Sequence, residues 1–234
     1  WSSDVCSSDL IACRNEQESL PRLLNKLHDQ TYPSGLFEVI VVDDNSADNT
    51  FSIASSYGGI KNISVLKNNG SGKKAALATG INAAKGVLIV TTDADCTMRK
   101  EWLNTISSFC GISGKDMIVC PVMLEDSKGI LGRFAELEFL GLQGVTAGTI
   151  AHGNGIMCNG ANLAFRKEVF LSNINNLHPE IASGDDVFLL HSLKKKRDSK
   201  IEWLEAMEAA VKPASPLDRK IKRLNSSHRI RTRM

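Results

Sequence analysis

Apolar residues along this chain follow two rhythms that alternate. Phe37–Val42 (FEVIVV) is an unbroken, largely β-branched run, the pattern of a strand covered on both faces. Val87–Thr91 and Met117–Val122 repeat it; Ile63–Leu66 is shorter, and Leu10–Cys13 is the stump of a first strand. Between these runs the spacing changes to three and four. Leu20, Leu23, Leu24 and Leu27 predict an amphipathic helix over 16–29, with Asn15 as N-cap and Glu18 three residues on, as in a capping box. A second helix runs to Tyr57, a third covers Ala75–Ala84, and Trp102, Leu103, Ile106 and Phe109 mark a fourth. Strands alternating with helices predict an α/β fold: a mostly parallel, Rossmann-like sheet flanked by helices on both faces. In such sheets a ligand lies beyond the carboxyl ends of the strands.

The second half is less regular. Ile130–Gly144 reads as a helix, Gly153–Gly160 as a Gly- and Asn-rich loop, and Asn162–Phe165 as a strand before a short helix. Gly184-Asp185-Asp186 opens a helical stretch with Val187, Leu189, Leu190 and Leu193, and Ile201–Leu204 and Ala209–Val211 read as short strands.

Composition narrows the class. With 234 residues, 42% hydrophobic and 23% charged, the chain has ample material for a core and is too apolar for disorder. The longest uncharged stretch, Phe139–Phe165, is interrupted by glycines, asparagines and His152, so it does not read as a membrane span. No basic region leads into an apolar one at the start, so no signal peptide is expected. The six cysteines form no C-x-x-C pair and read as small core residues of a reducing compartment. Net charge is +2, but residues 218–234 carry +6, residues 1–10 carry −2 and the body 11–217 carries −2. The basic excess belongs to the tail and gives no argument for nucleic-acid binding. Both ends stand apart: DVCSSDL (Asp4–Leu10) looks like a translated sequencing adaptor, and DRKIKRLNSSH (Asp218–His228) is similar to another. Residues 1–10 and 218–234 are therefore read as non-native and set aside.

The chemistry sits where strands end. Val87–Thr91 leads into Asp93-Ala94-Asp95; if the strand continued, both carboxylates would point one way, an arrangement a divalent cation such as Mg²⁺ or Mn²⁺ would relieve in the presence of a diphosphate. The plain alternative is a polar turn. Phe37–Val42 leads into Asp43-Asp44-Asn45-Ser46, where a carboxylate could accept from a base N–H or a ribose hydroxyl, or where Ser46 or Asp48 simply caps the next helix. Asp185-Asp186 either caps a helix or presents a general base toward a hydroxyl. In Gly70–Ala75 the Walker A pattern fails, with Lys67 and Lys74 at its key positions, whereas G-x-G-x-x-A matches a dinucleotide fingerprint with Asp93 18 residues beyond Ala75. Lys73 or Lys74 could stand near a diphosphate.

Taken in order, IACRNEQESLPRLLNKL, VIVVDDNSADNT, GKKAALATGINAAKG with TTDADC, CNGANLAFRK and SGDDVFLL resemble the family 2 glycosyltransferases of the GT-A fold. The resemblance covers about residues 11–212. It implies one catalytic domain over 11–217, with a nucleotide-sugar half at 11–125 and an acceptor half at 126–217. It further implies Ala12 and Arg14 lining the nucleotide, Asp44 on the uracil with Asp43 assisting, Lys73 near the sugar nucleotide, Asp93 on the ribose–diphosphate, and Asp95 with Asp93 on the metal. Asp186 becomes the catalytic base, with Asp185 where Glu is more usual and Asn162 on the acceptor side. The implied reaction is inverting transfer from a UDP-sugar to a saccharide or lipid-linked acceptor, with Mg²⁺ or Mn²⁺, in cell-surface polysaccharide or glycolipid synthesis. The implied location is cytoplasmic, the parent protein at the cytoplasmic face of a membrane. The Q-x-x-R-W motif of processive relatives is absent from the sequence. Three other readings stand beside this one: a catalytically dead nucleotide-sugar-binding fragment, a dinucleotide-binding oxidoreductase, and a sugar-1-phosphate nucleotidyltransferase, for which the Gly-rich N-terminal loop is missing.

Overall fold

A computed structural model describes residues 7–124, 129–173, 184–195 and 200–214. The strands are β1 (Ser7–Cys13), β2 (Phe37–Asp43), β3 (Ile63–Lys67), β4 (Leu88–Thr92), β5 (Thr97–Met98), β6 (Met117–Val119), β7 (Asn162–Arg166), β8 (Ile201–Trp203) and β9 (Val211–Lys212). The helices are α1 (Leu20–His28), α2 (Thr50–Ser55), α3 (Lys73–Ala83), α4 (Trp102–Ser113), α5 (Gly129–Ala151), α6 (Lys167–Leu171) and α7 (Asp185–Lys194). Seven strands form one sheet in the order β3-β2-β1-β4-β7-β6-β8, and β5 pairs with β9 separately. Every pairing in the large sheet is parallel except those of β7, which runs antiparallel between β4 and β6. The predicted mostly parallel sheet is therefore present.

Strand alternation builds two cores. Ile11, Val39, Val41 and Val90 face α1, α2 and α4, where Leu20, Leu23, Leu24, Leu27 and Trp102 close the layer. Leu10, Ile40, Val42 and Ile89 face α3, α5, α6 and α7, through Leu77, Ile81, Ile150, Phe170 and Leu190. Helices thus cover both faces, as expected. Cys13, Cys96, Cys110 and Cys120 are buried in these layers. Burial pushes the Cys13 and Cys96 thiols up to about 12, so they are inert apolar filler.

The N-terminal strand is longer than the Leu10–Cys13 stump, because Ser7–Leu10 pairs in register with both β2 and β4. Backbone pairing accepts these residues, and Ser8 Oγ donates to Glu38 Oε1 at 2.6 Å, but Asp9 fits poorly. Asp9 is fully buried between its register partners Val39 and Val90, and neither carboxylate oxygen has a hydrogen-bond partner. Burial pushes the Asp9 carboxyl well above its ordinary range, with Glu38 adding to the rise. Residues 218–234, the other end set aside above, lie outside the described residues.

The helix expected from residue 16 begins at Leu20, with Pro21 in its first turn. Asn15 is not its N-cap. It holds a left-handed backbone with φ 57°, and its Oδ1 accepts the Ala47 N–H at 2.8 Å. Ser46 Oγ accepts the Asn15 N–H at 2.9 Å, so the loops after β1 and β2 are laced together. Ala209–Val211 is not one strand: a 3-10 turn over Met207–Ala209 precedes β9. No helix among the described residues is long and apolar enough to cross a membrane.

Candidate active site

The parallel strands β1, β2 and β4 end on the same side of the sheet, and their carboxyl ends carry Ala12 and Arg14, Asp43 and Asp44, and Asp93 and Asp95. Two of these segments, those after β2 and β4, and the helix bearing Asp186 meet at the first turn of α3.

Asp44 is the hub on the β2 side. Its Oδ1 accepts the Asn68 amide at 2.7 Å and the Gly72 N–H at 3.0 Å, and its Oδ2 lies 3.8 Å from the Arg14 guanidinium. Gly72 holds φ 88°, a left-handed backbone that aims its N–H at Asp44 and is closed to side-chain-bearing residues without strain. That N–H is thereby taken up, so the G-x-G-x-x-A turn does not present it to a pyrophosphate as a dinucleotide fingerprint requires. Asp43 is buried; its Oδ2 accepts the Ser46 N–H at 3.2 Å and its Oδ1 has no partner. Asp48, not Ser46, accepts the Thr50 N–H at the start of α2. Ala12 is half-buried at the end of β1, and Arg14 is exposed.

Lys73 and Lys74 extend the turn to the other segments. Lys73 Nζ lies 2.7 Å from Asp93 Oδ1, in a pair where both side chains remain more than a third exposed. Lys74 Nζ stands 4.5 Å from the ring centroid of Phe188, two residues past Asp186. Asp93 and Asp95 are not on a continuing strand: the Cys96 N–H bonds the Asp93 carbonyl at 3.0 Å, closing a turn. The Asp95 side chain is buried in that turn, and its carbonyl accepts the Ala214 N–H at 3.1 Å beside β9.

Asp186 is fixed by the loop before β7. Its Oδ2 accepts the Gly160 N–H at 2.7 Å and its Oδ1 the Val187 N–H at 2.8 Å. The Gly160 carbonyl accepts from Thr91 Oγ1 at 2.9 Å, and Thr91 lies on β4 two residues before Asp93. A Cβ on residue 160 would stand 3.3 Å from Asp186 Oδ2, so glycine is what lets the carboxylate approach this closely. Asp185 opens α7, but its side chain, like Ser183, lies outside the described residues.

Asn162 is fully buried. Its amide donates to the carbonyls of Pro121 and Ala209 at 2.6 and 2.8 Å and accepts from the Trp102 indole at 3.0 Å. It therefore anchors the segment that carries Gly160 and has no free polar atom for an acceptor. Asn68 lies outside every quoted motif; Gly72, Thr91 and Gly160 lie inside GKKAALATGINAAKG, TTDADC and CNGANLAFRK, but the motifs gave them no role of their own.

Asp93 and Asp95 are hard oxygen donors of the kind that suit Mg²⁺ or Mn²⁺. No group of three or more His, Cys, Asp or Glu gathers among the described residues. The protein would therefore supply one or two carboxylates and leave the remaining positions to diphosphate oxygens and water, a common way to hold Mg²⁺. The Lys73 ammonium against Asp93 shows that this carboxylate already accommodates a cation.

Comparison with known proteins bears on the family and the fold. The family model for glycosyl transferase family 2 matches residues 8–172. The glycosyltransferase AglE of Haloferax volcanii is 34% identical over 113 residues, 47% of this chain and 37% of the relative. The chain thus spans little more than a third of that relative's length. Among solved structures, Staphylococcus aureus TarS 1–349 in complex with UDP superposes with a TM-score of 0.69 at 20% identity, over 89% of this chain and 60% of that one. The mannosyltransferase PcManGT from Pyrobaculum calidifontis, in complex with GDP-Man and Mn²⁺, gives 0.68 at 19%, over 90% and 57%.

Proposed function

The chain belongs to glycosyl transferase family 2, and from that premise we propose that it forms the catalytic part of an inverting transferase that moves a glycosyl residue from a UDP-sugar to an acceptor hydroxyl. The observation that carries this reading is the first turn of α3, where Gly72 meets Asp44, Lys73 meets Asp93, and Lys74 meets the helix of Asp186. Binding groups and a general base from four distant segments are thereby held about one helix end.

Asp44, set by Asn68 and Gly72, accepts from the base N–H while Asp43 and Ala12 bound the same pocket and Arg14 flanks it. Lys73 turns from Asp93 toward the diphosphate and offsets its charge, which grows as the donor bond breaks. Asp95 with Asp93 would hold a divalent ion, Mg²⁺ or Mn²⁺, which would add to the neutralisation of that leaving group. Asp186 takes the proton from the acceptor hydroxyl while that oxygen attacks the anomeric carbon from the face opposite the nucleotide. The Gly160 and Val187 N–H groups orient its carboxylate for this step. Asn162 acts through Gly160, and Asp185 lies toward the acceptor. Residues 11–125 form the nucleotide-sugar half and 126–217 the acceptor half. The acceptor is a saccharide or lipid-linked hydroxyl, and the parent protein works at the cytoplasmic face of a membrane in polysaccharide or glycolipid synthesis.

Asp186→Asn keeps the size and removes the base. It should lower turnover by about 10²–10⁴-fold with UDP affinity unchanged. Transfer at the unaltered rate would remove Asp186 from this role. Since solved structures of this fold hold UDP in one case and GDP-Man in another, both donors belong in the assay, and a preference for GDP-sugars would correct the donor.

A further inference from the structure

Among the described residues, the most exposed apolar surface lies on α5. Of its 23 residues only Thr146 and Ile150 are buried. Seven large apolar side chains stay roughly half exposed or more, among them Ile130 at 87%, Phe134 at 64% and Leu137 at 65%. Taking about 150–200 Å² for a fully exposed large side chain, they leave on the order of 800 Å² of apolar surface in water. A monomer's largest patch is about 300–600 Å², whereas each partner in a standard interface buries roughly 800 Å².

The order of residues on this face is specific. Ile130, Phe134, Leu137, Gly141, Gly144 and Gly148 follow at intervals of four, three, four, three and four, a heptad seam on the side opposite Thr146 and Ile150. The first three are large. The last three are glycines, and a Cβ added at any of them meets nothing within 4 Å. Laid antiparallel against a second copy, with a two-fold axis beside residue 139, the seam is complementary to itself: Ile130 faces Gly148, Phe134 faces Gly144, and Leu137 faces Gly141. Knobs from one helix meet the gaps of the other, and an isologous contact of this kind closes as a dimer.

We propose that α5 is a self-association surface, and that two copies of this chain pack their α5 helices antiparallel along this seam. A lipid surface fits less well, because an interfacial helix carries a Lys/Arg-rich polar face, while the charged residues of α5 are Arg133, Glu136 and Glu138. Glu138 flanks the midpoint of the seam and would approach its own copy, so removing that charge should tighten the pair.

Sedimentation velocity on the whole chain over a range of concentrations tests this. We expect a reversible dimer whose Kd rises roughly tenfold or more in Gly141→Leu/Gly144→Leu and falls in Glu138→Gln, with UDP affinity and circular dichroism unchanged. Mixing Ile130→Cys copies with Gly148→Cys copies should give a cross-linked heterodimer under mild oxidation. Ile130→Cys alone should not cross-link, because antiparallel packing holds its two copies about 27 Å apart. Three results would overturn the proposal: a monomer throughout the concentration range, self-linking of Ile130→Cys, or sedimentation with phosphatidylglycerol vesicles by a chain that stays monomeric without them. UDP affinity is read in the same samples, so failure here leaves the nucleotide assignment standing and loss of UDP binding leaves the dimer standing.

Discussion

At Gly160 a single hydrogen atom in place of a side chain decides where Asp186 can sit. The N–H of Gly160 reaches Asp186 Oδ2 at 2.7 Å because no Cβ intervenes. Gly160→Ala would set a methyl 3.3 Å from that oxygen, tighter than a relaxed contact, so the carboxylate must shift by a few tenths of an ångström. Misplacing a catalytic group by an ångström costs about 10²-fold, so this smaller shift should lower kcat roughly tenfold while leaving UDP affinity unchanged. Steady-state kinetics with nucleotide calorimetry on the same variant checks it, and an unaltered kcat would mean that Asp186 does not depend on this contact. The sequence marks Asp44, Asp93 and Asp95 because acids after apolar strands stand out, and Asp186 because an acidic pair opens a helix. It does not mark Asn68 or Gly160, whose contribution is a partner far along the chain. Asn162 shows the converse: a polar residue in a family motif drew a ligand-side reading, yet its amide is wholly engaged with Trp102, Pro121 and Ala209.

At the scale of elements, β1 carries the clearest conflict between backbone and side chain. Its ladder to β2 runs its whole length and that to β4 covers Ser7–Leu10, while Asp9 stands unpartnered among valines. Replacing it with Val, which matches its neighbours and suits a covered strand, should stabilise the fold by about 1–4 kcal/mol at pH 7. The pH dependence has a definite sign. Because the folded state holds the Asp9 proton above the pH at which the unfolded chain releases it, stability falls as pH rises from the ordinary carboxylate range through the raised folded value. The Val variant lacks that slope, so its advantage should shrink toward pH 4. Urea denaturation at pH 4 and pH 7 measures both, and a destabilised variant would show that Asp9 has a partner. The long covered strands β2 and β4 are legible from their apolar runs, and α1 from its leucine spacing. The start of α1 is not, because Asn15 serves a contact to Ala47 on another loop that local capping rules cannot see. Nor is the antiparallel placement of β7, which depends on a non-local pairing with β4 and β6.

For the whole molecule, the parallel order of β1, β2 and β4 brings distant acids to one end of the sheet, and the first turn of α3 ties them together. The alternation of strands and helices predicts the layers, and the rule that ligands lie beyond strand ends predicts the side. Which segments touch follows from strand order, and the sequence does not state strand order. Hydrogen exchange on the chain, with and without UDP and Mn²⁺, tests the convergence most directly. One ligand should protect the amides of 43–46, 70–74 and 93–96 together, with a single shared dependence on UDP concentration and a loss of protection when the metal is chelated. Protection confined to one of these segments, or separate concentration dependences for each, would contradict a common nucleotide site.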